Sequence, residues 1–365
     1  MPRIRALIVD DSALARRMVS QALAAQPDME VVGLAESGLA ALERVERHAP
    51  DVVVLDLEMP GMDGIETLRR LKKSKPLLPV LIFSSQTKRG AGATVDALLA
   101  GADDYALKPD GSPDSGSSWA ASQVELATKL RAIAVRARRI QGPVPAASTS
   151  GEHRFEARRE LINAIVIGTS IGGPEALAVV LPRLPSDLSV PLFVVQHMPH
   201  GFTAALAKRL SERSKLRVVE AQHGQIAEPG CVFLAPGDSH MQLSRLHHRV
   251  AVLLNKGPLE NGCRPSVDPL FRSAAKVYGS GLLAIVLTGM GSDGLRGAEQ
   301  VNAASGCVWI QDQETSAVWG MAGAIARAGL ARRTVPLPSL AAMIEATVQH
   351  GLPSAWPAAS SQRGT

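Results

Sequence analysis

Five residues that could handle a phosphoryl group stand at or just beyond short apolar runs: Asp10 and Asp11 after RALIV, Asp56 after VVVL, Ser84 after VLIF and Lys108 after YAL. Carboxylates gathered on one edge repel one another unless a hard divalent cation sits among them, and an all-oxygen set of this kind suits Mg²⁺. Lys108 offers a movable point charge and Ser84 a hydroxyl, each suited to a phosphoryl oxygen. One acidic strand end taken alone is an ordinary helix cap. The set taken together points to phosphoryl chemistry.

A second group lies further along. The segment AIVIGTSIGGPEAL reads as a strand, a sharp glycine turn and a helix opening at Pro174, with Ser170 in the turn. A nucleotide-binding turn would need G-x-G-x-x-G, or a Gly-Lys-Ser/Thr ending, and neither is present. Gly168-Thr169-Ser170-Ile171-Gly172 matches the G-x-S-x-G of a nucleophile elbow instead. His197 follows the apolar run PLFVVQ, and Asp293 lies in the glycine turn after LLAIVLTG, so both could meet Ser170 on one edge of a parallel sheet. The structural alternatives are a strand-end imidazole for His197 and a helix N-cap for Asp293. His223 and His240 are rival bases, but neither follows so clear a buried strand. The chain order Ser, His, Asp differs from the Ser, acid, His of the α/β-hydrolases.

The elements that must hold these residues are legible as alternation. Residues 1–109 alternate runs of four to six β-branched or apolar residues with helical patterns, which predicts βαβ units around a parallel sheet, with Ser12 capping the first helix. A helix expected over about Trp119 to Ile140 runs into QGPVPAASTSGEH, whose Pro, Ser and Gly content marks a connection. A second α/β pattern starts at Asn163 and ends in a helix around Leu340 to His350, followed by PSAWPAASSQRGT. The expected division is a domain over 1–140, a flexible linker over 141–160, a second domain over 161–352 and a frayed tail over 353–365.

Composition narrows the classes. With 365 residues, 46% of them hydrophobic and 3% aromatic, two globular domains of ordinary size are expected. No run reaches the roughly 18 apolar residues of a membrane span. Asp10 and Asp11 stand where a signal peptide would be apolar, which predicts a cytoplasmic protein. Cys231, Cys263 and Cys307 lack metal-ligand spacing and are expected to be buried free thiols. The formal charge of +5 lies partly in the linker and is not interleaved with aromatics, so a nucleic-acid partner is not expected.

The first half resembles the response-regulator receiver family over residues 3–110. The resemblance implies a flavodoxin-like sheet of order 2-1-3-4-5 in which Asp56 accepts a phosphoryl group from a histidine kinase. It also implies that Asp10, Asp11, Asp56 and the carbonyl of Glu58 hold Mg²⁺, and that Ser84, Tyr105 and Lys108 form the switch. The second half, with HMPHGF, CRPSVDPLF and QDQETSAVWGM around the three motifs, resembles the chemotaxis protein-glutamate methylesterases. That implies a doubly wound, mostly parallel α/β domain. It further implies hydrolysis of glutamyl γ-methyl esters, and deamidation of glutamines, on methyl-accepting chemoreceptors without a metal. Ser170 would be the nucleophile, His197 the general base and Asp293 its orienting carboxylate, with backbone donors near Met290 and Ile171 for the oxyanion. Ile171, His200, Gly262 and Ala322 depart from the usual family pattern, which predicts altered substrate preference before lost activity. The competing readings are a catalytically silent scaffold and an esterase of a small metabolite.

Overall fold

Runs of Val, Ile and Leu that are apolar on both faces must be covered on both faces, so most strands here are followed by a helix that packs back over the sheet. A computed structural model describes residues 2–85, 87–109, 119–140 and 159–353. They fall into two compact units that divide between residues 144 and 145. Most of the expected linker and of the expected C-terminal tail lies outside the described residues.

The first unit contains β1 (Ile4–Val9), α1 (Ala13–Ala24), β2 (Met29–Ala35), α2 (Gly38–His48), β3 (Val52–Leu55), α3 (Gly64–Ser74), β4 (Val80–Ser84), α4 (Lys88–Leu99), β5 (Asp104–Leu107) and α5 (Trp119–Ile140). All strand pairs are parallel, and the order β2-β1-β3-β4-β5 is the one expected. Helices α1 to α4 begin at side-chain caps in the loops beyond the strand ends: Ser12 accepts from the Ala15 N–H, Ser37 from Ala40, Asp63 from Glu66 and Thr87 from Gly90. Each cap is worth about 1 kcal/mol and fixes where its preceding loop can go. Arg131 on α5 grips both carboxylate oxygens of Asp28, at 2.7 and 2.8 Å, and ties the last helix to the turn before β2.

The second unit contains β6 (Arg159–Glu160), β7 (Ala164–Thr169), α6 (Gly173–Val180), β8 (Leu192–Gln196), α7 (Phe202–Arg213), β9 (Arg217–Glu220), β10 (Cys231–Leu234), β11 (His240–Leu246), β12 (Arg249–Asn255), α8 (Val267–Tyr278), β13 (Leu282–Val286), α9 (Leu295–Ala303), β14 (Cys307–Gln311), α10 (Met321–Arg327), β15 (Arg333–Val335), α11 (Leu337–His350) and β16 (Leu352–Pro353). Seven strands form one parallel sheet in the order β15-β14-β13-β7-β8-β10-β9. The antiparallel pairs β11-β12 and β6-β16 lie outside it. Strands β7, β8 and β13 are buried along their whole length. Phe193 and Phe233 stack at 5.3 Å in the core beneath them. At about 1.5–3 kcal/mol for each fully buried aliphatic or aromatic side chain, such strands are rigid mounts for whatever follows their carboxyl ends.

Candidate active site

In both sheets the chain order reverses beside the first long strand, and a crevice opens there beyond the carboxyl ends. In the first sheet the switch lies between β1 and β3, which deliver Asp10 and Asp56. In the second it lies between β7 and β13, which deliver Ser170 and Asp293, while β8 on the other flank of β7 delivers His197.

At the first crevice, oxygen atoms of Asp10, Asp11 and Asp56 lie within 4.8 Å of one another. Lys108 Nζ bridges two of them, 2.8 Å from Asp10 Oδ2 and 3.0 Å from Asp56 Oδ2. Burial raises Asp10 above the ordinary carboxylate range; Lys108 pulls the other way and the Asp56 charge adds to the rise. Burial works against the charge on Lys108, but its two carboxylates raise it overall. Despite the ammonium at 2.8 Å, Asp10 Oδ2 is buried without a directed hydrogen bond. The ammonium is close but not aligned with this oxygen, which leaves a lone pair open toward the cluster. An open carboxylate oxygen among like charges fits a divalent cation. Glu58 is exposed at the rim. Ser84 is buried and its Oγ accepts a hydrogen bond from Thr94. Tyr105 is buried with Lys129 Nζ 4.6 Å from its ring, and that burial raises its hydroxyl pKa.

At the second crevice the turn after β7 is built from constraint. Gly172 caps α6 at φ +74°, and a Cβ there would lie 2.4 Å from Ala317 Cβ, so only glycine allows the elbow. The Ser170 N–H donates to the Thr288 carbonyl at 3.0 Å, fastening the elbow to the end of β13. Gln196 spans Ser170 and His197, its amide donating to both backbone carbonyls at 2.9 and 3.2 Å. Gly289 packs against Ser170, with room for no side chain: a Cβ would lie 2.8 Å from Ser170 Cβ.

His197 Nε2 lies 2.7 Å from Asp293 Oδ2. Asp293 is buried and heavily served: it accepts from the N–H groups of Val267 (2.7 Å), Asp268 (3.2 Å) and Gly294 (2.9 Å), from Ser266 Oγ (2.8 Å) and from Asn261 Nδ2 (2.8 Å). Two of these donors are the first N–H groups of α8, so the carboxylate also meets the positive end of that helix. Burial alone would raise Asp293, but the His197 hydrogen bond and charge and these donors hold it below the ordinary range. Burial alone would lower His197, yet the Asp293 hydrogen bond, with a second one from Cys263, pushes it up to about 9. The ring's other nitrogen, Nδ1, lies 3.6 Å from Cys263 Sγ. Such a set can orient an imidazole and stabilise its charged form.

The rivals do not converge here. His223 is exposed and bonded to the Leu254 backbone, and His240 is buried with Nε2 on the Pro258 carbonyl and Nδ1 on the Ser266 N–H. Ile171 is buried, its carbonyl taken by Thr288 Oγ1, and Met290 stands exposed at the rim. Cys231 and Cys307 are buried free thiols as expected, whereas Cys263 is only partly buried and faces His197, because the turn carrying it is folded over the imidazole. The sequence marks Cys263 only as a free thiol and Asn261 not at all. The signal for them was Asn261-Gly262, a dipeptide that favours a tight turn; both residues have positive φ, +53° and +74°. The positive φ of Gly262 gives this position a conformational reason to be glycine.

Residues 165–344 match the family model described as CheB methylesterase, and residues 6–114 match that of the response regulator receiver domain. The chain is 44% identical to a protein-glutamate methylesterase/protein-glutamine glutaminase of Nocardioides sp. across 98% of this chain and 99% of that one. A protein of the same name from Trichodesmium erythraeum is 41% identical over 93% of this chain and 98% of its own length. Among solved structures, the CheB methylesterase catalytic domain of Thermotoga maritima superposes with a TM-score of 0.50 at 40% identity, covering 50% of this chain and 97% of that domain. The chain belongs to the family of protein-glutamate methylesterase/protein-glutamine glutaminases that carry a response-regulator receiver domain.

Proposed function

We infer that this protein is a phosphorylation-controlled hydrolase that removes γ-methyl esters from glutamates, and deamidates glutamines, on methyl-accepting chemoreceptors. The observation that carries this reading is the 2.7 Å His197–Asp293 pair at the strand end beside Ser170. Asp293 holds Nε2, so Nδ1 is the nitrogen that takes the Ser170 proton. The serine oxygen then adds to the γ-carbonyl, and the imidazolium, steadied by Asp293, returns the proton to departing methanol or ammonia. Water attacks the resulting acyl-enzyme by the same route and frees the glutamate. The N–H groups around Met290 and Ile171 are the candidate oxyanion donors, being close to the elbow at the open end of the sheet. None of these steps calls on a metal.

In the receiver, Asp56 is the phosphoryl acceptor and a chemotaxis histidine kinase the donor. Asp10, Asp11, Asp56 and the Glu58 carbonyl would hold Mg²⁺, which supplies charge neutralisation for the incoming phosphoryl group. Lys108 then exchanges a carboxylate for a phosphoryl oxygen, Ser84 offers a hydroxyl to another, and the buried Tyr105 reads the change. The domains are taken as 1–140 and 161–352, joined by 141–160, with the tail at 353–365. No described helix is long and apolar enough to cross a membrane. The cytoplasm is the compartment in which a histidine kinase and receptor cytoplasmic domains would both be met. Incubation with methylated receptor cytoplasmic fragments, with and without a phosphodonor, tests the reading through methanol release.

A further inference from the structure

On the reading that Ser170 is the nucleophile, the base nitrogen is Nδ1 of His197, and the structure already gives that nitrogen a partner. We propose that Cys263 is a positioning residue: its thiol holds Nδ1 of His197 in the resting enzyme, keeping the ring aligned between Asp293 and Ser170, and yields it to Ser170 when substrate arrives. The ring's two hydrogen bonds are Nε2 to Asp293 Oδ2 at 2.7 Å and Nδ1 to Cys263 Sγ at 3.6 Å.

The thiol is delivered by a turn anchored on all sides. Glu260 and Cys263 exchange both backbone hydrogen bonds, at 3.2 and 2.9 Å, across Asn261 and Gly262. Arg272 on α8 grips both Glu260 carboxylate oxygens at 2.8 Å. Asn261 Nδ2 donates to Asp268 and Asp293, at 2.8 Å each. One turn therefore touches both members of the pair, Asn261 on the carboxylate and Cys263 on the imidazole.

The chemistry of sulfur suits a partner that must later let go. With the ring neutral and Nε2–H on Asp293, Nδ1 accepts the weak S–H donor; with the ring charged, Nδ1–H donates to sulfur. Either bond fixes the ring plane and is weak enough for the Ser170 hydroxyl to displace. A carboxylate in the same place would hold the imidazolium and trap it. Asp293 and Cys263 are the groups facing the ring, with Asp268, Glu260 and Arg272 standing behind Asp293. Because the sulfur accepts from the charged ring, its removal should make the ring easier to deprotonate.

The test compares the full chain with its Cys263→Ala and Cys263→Ser variants. The His197 ring is titrated by ¹⁵N NMR, and the pH profile of kcat/KM for methanol release is recorded beside it. Cys263→Ala should lower the ring titration and the acid limb by about half a pH unit, the size expected of one weak hydrogen bond, with KM unchanged. Cys263→Ser, which restores a hydroxyl on the same Cβ, should return both toward the unsubstituted values. A ring titration unmoved in Cys263→Ala, or moved equally in Cys263→Ser, would overturn the proposal. Failure of the Ser170 nucleophile reading would show differently, as methanol release that survives Ser170→Ala whatever residue 263 is.

Discussion

Asp293 Oδ2 serves two groups at once, His197 Nε2 and the Val267 N–H, each at 2.7 Å. The carboxylate that orients the base therefore also caps α8, and catalysis and folding share one side chain. Asp293→Asn replaces a charged acceptor by an amide whose NH₂ has no acceptor role toward either donor. Turnover should fall by a factor of order 10³–10⁴, by analogy with other triads. Unfolding by urea should show a loss of about 1–3 kcal/mol, because buried donors lose their partner. Unchanged turnover would move the orienting role to another acid.

The His197–Asp293 pair also sets a pH dependence. The folded-state pKa of His197 lies above its ordinary value of 6.5, at about 9, so its contribution to stability is complete below about 6.5 and is lost as pH rises through about 9. Asp293 is shifted down, so its contribution is present above its ordinary 3.8 and is lost as pH falls through its lower folded value. Catalysis needs the neutral ring, so kcat/KM should climb from neutral pH toward about 9 while stability slips over the same interval. An acid limb centred on the ordinary histidine value would contradict the strength assigned to this pair.

Gly289 tests how closely the elbow is packed. An alanine there would bring Cβ to 2.8 Å from Ser170 Cβ and 3.1 Å from its nitrogen, with Met321 Sδ at 2.4 Å on the other side. Met321 can swing away, but the serine backbone is fastened to Thr288. Gly289→Ala should shift the nucleophile by a fraction of an ångström and lower kcat by a factor on the order of 10², with a smaller effect on thermal stability. Steady-state kinetics of methanol release beside a melting curve would separate the two.

Much of this was legible in the residues because it follows from periodicity and from strand ends. The βα alternation predicts both parallel sheets, Ser12 caps the first helix as its position implies, and Ser170, His197 and Asp293 each follow a strand buried along its length. What escaped was carried by loops and by long-range contacts. Nothing local in NGCRPS says that Asn261 will reach a carboxylate 32 positions away or that Cys263 will face an imidazole 66 positions away. Nor does the type of residue 196, a glutamine at the end of an apolar strand, announce that its amide will span the backbones of Ser170 and His197.

The receiver makes its own prediction. Lys108 bridges Asp10 and Asp56, and Asp10 keeps an oxygen without a directed hydrogen bond. Phosphorylation by a small phosphodonor should require Mg²⁺ and vanish in Asp56→Ala, and chelation should abolish it in the unsubstituted chain. Donor should raise methanol release by the unsubstituted chain but leave Asp56→Ala at its basal rate. Phosphate found on the Asp56→Ala variant would reassign the acceptor.

The central claim is that a serine-derived acyl-enzyme on Ser170 carries the ester hydrolysis, and it is tested most directly by methanol release from methylated receptor fragments by the unsubstituted chain and by Ser170→Ala. Both should accept phosphate equally at Asp56, which shows that the receiver is intact, and melt alike, which shows that the domain carrying Ser170 is folded. The unsubstituted chain should release methanol in proportion to enzyme, and Ser170→Ala should release it only at the background rate. Methanol release by Ser170→Ala at a rate near that of the unsubstituted chain would contradict the account.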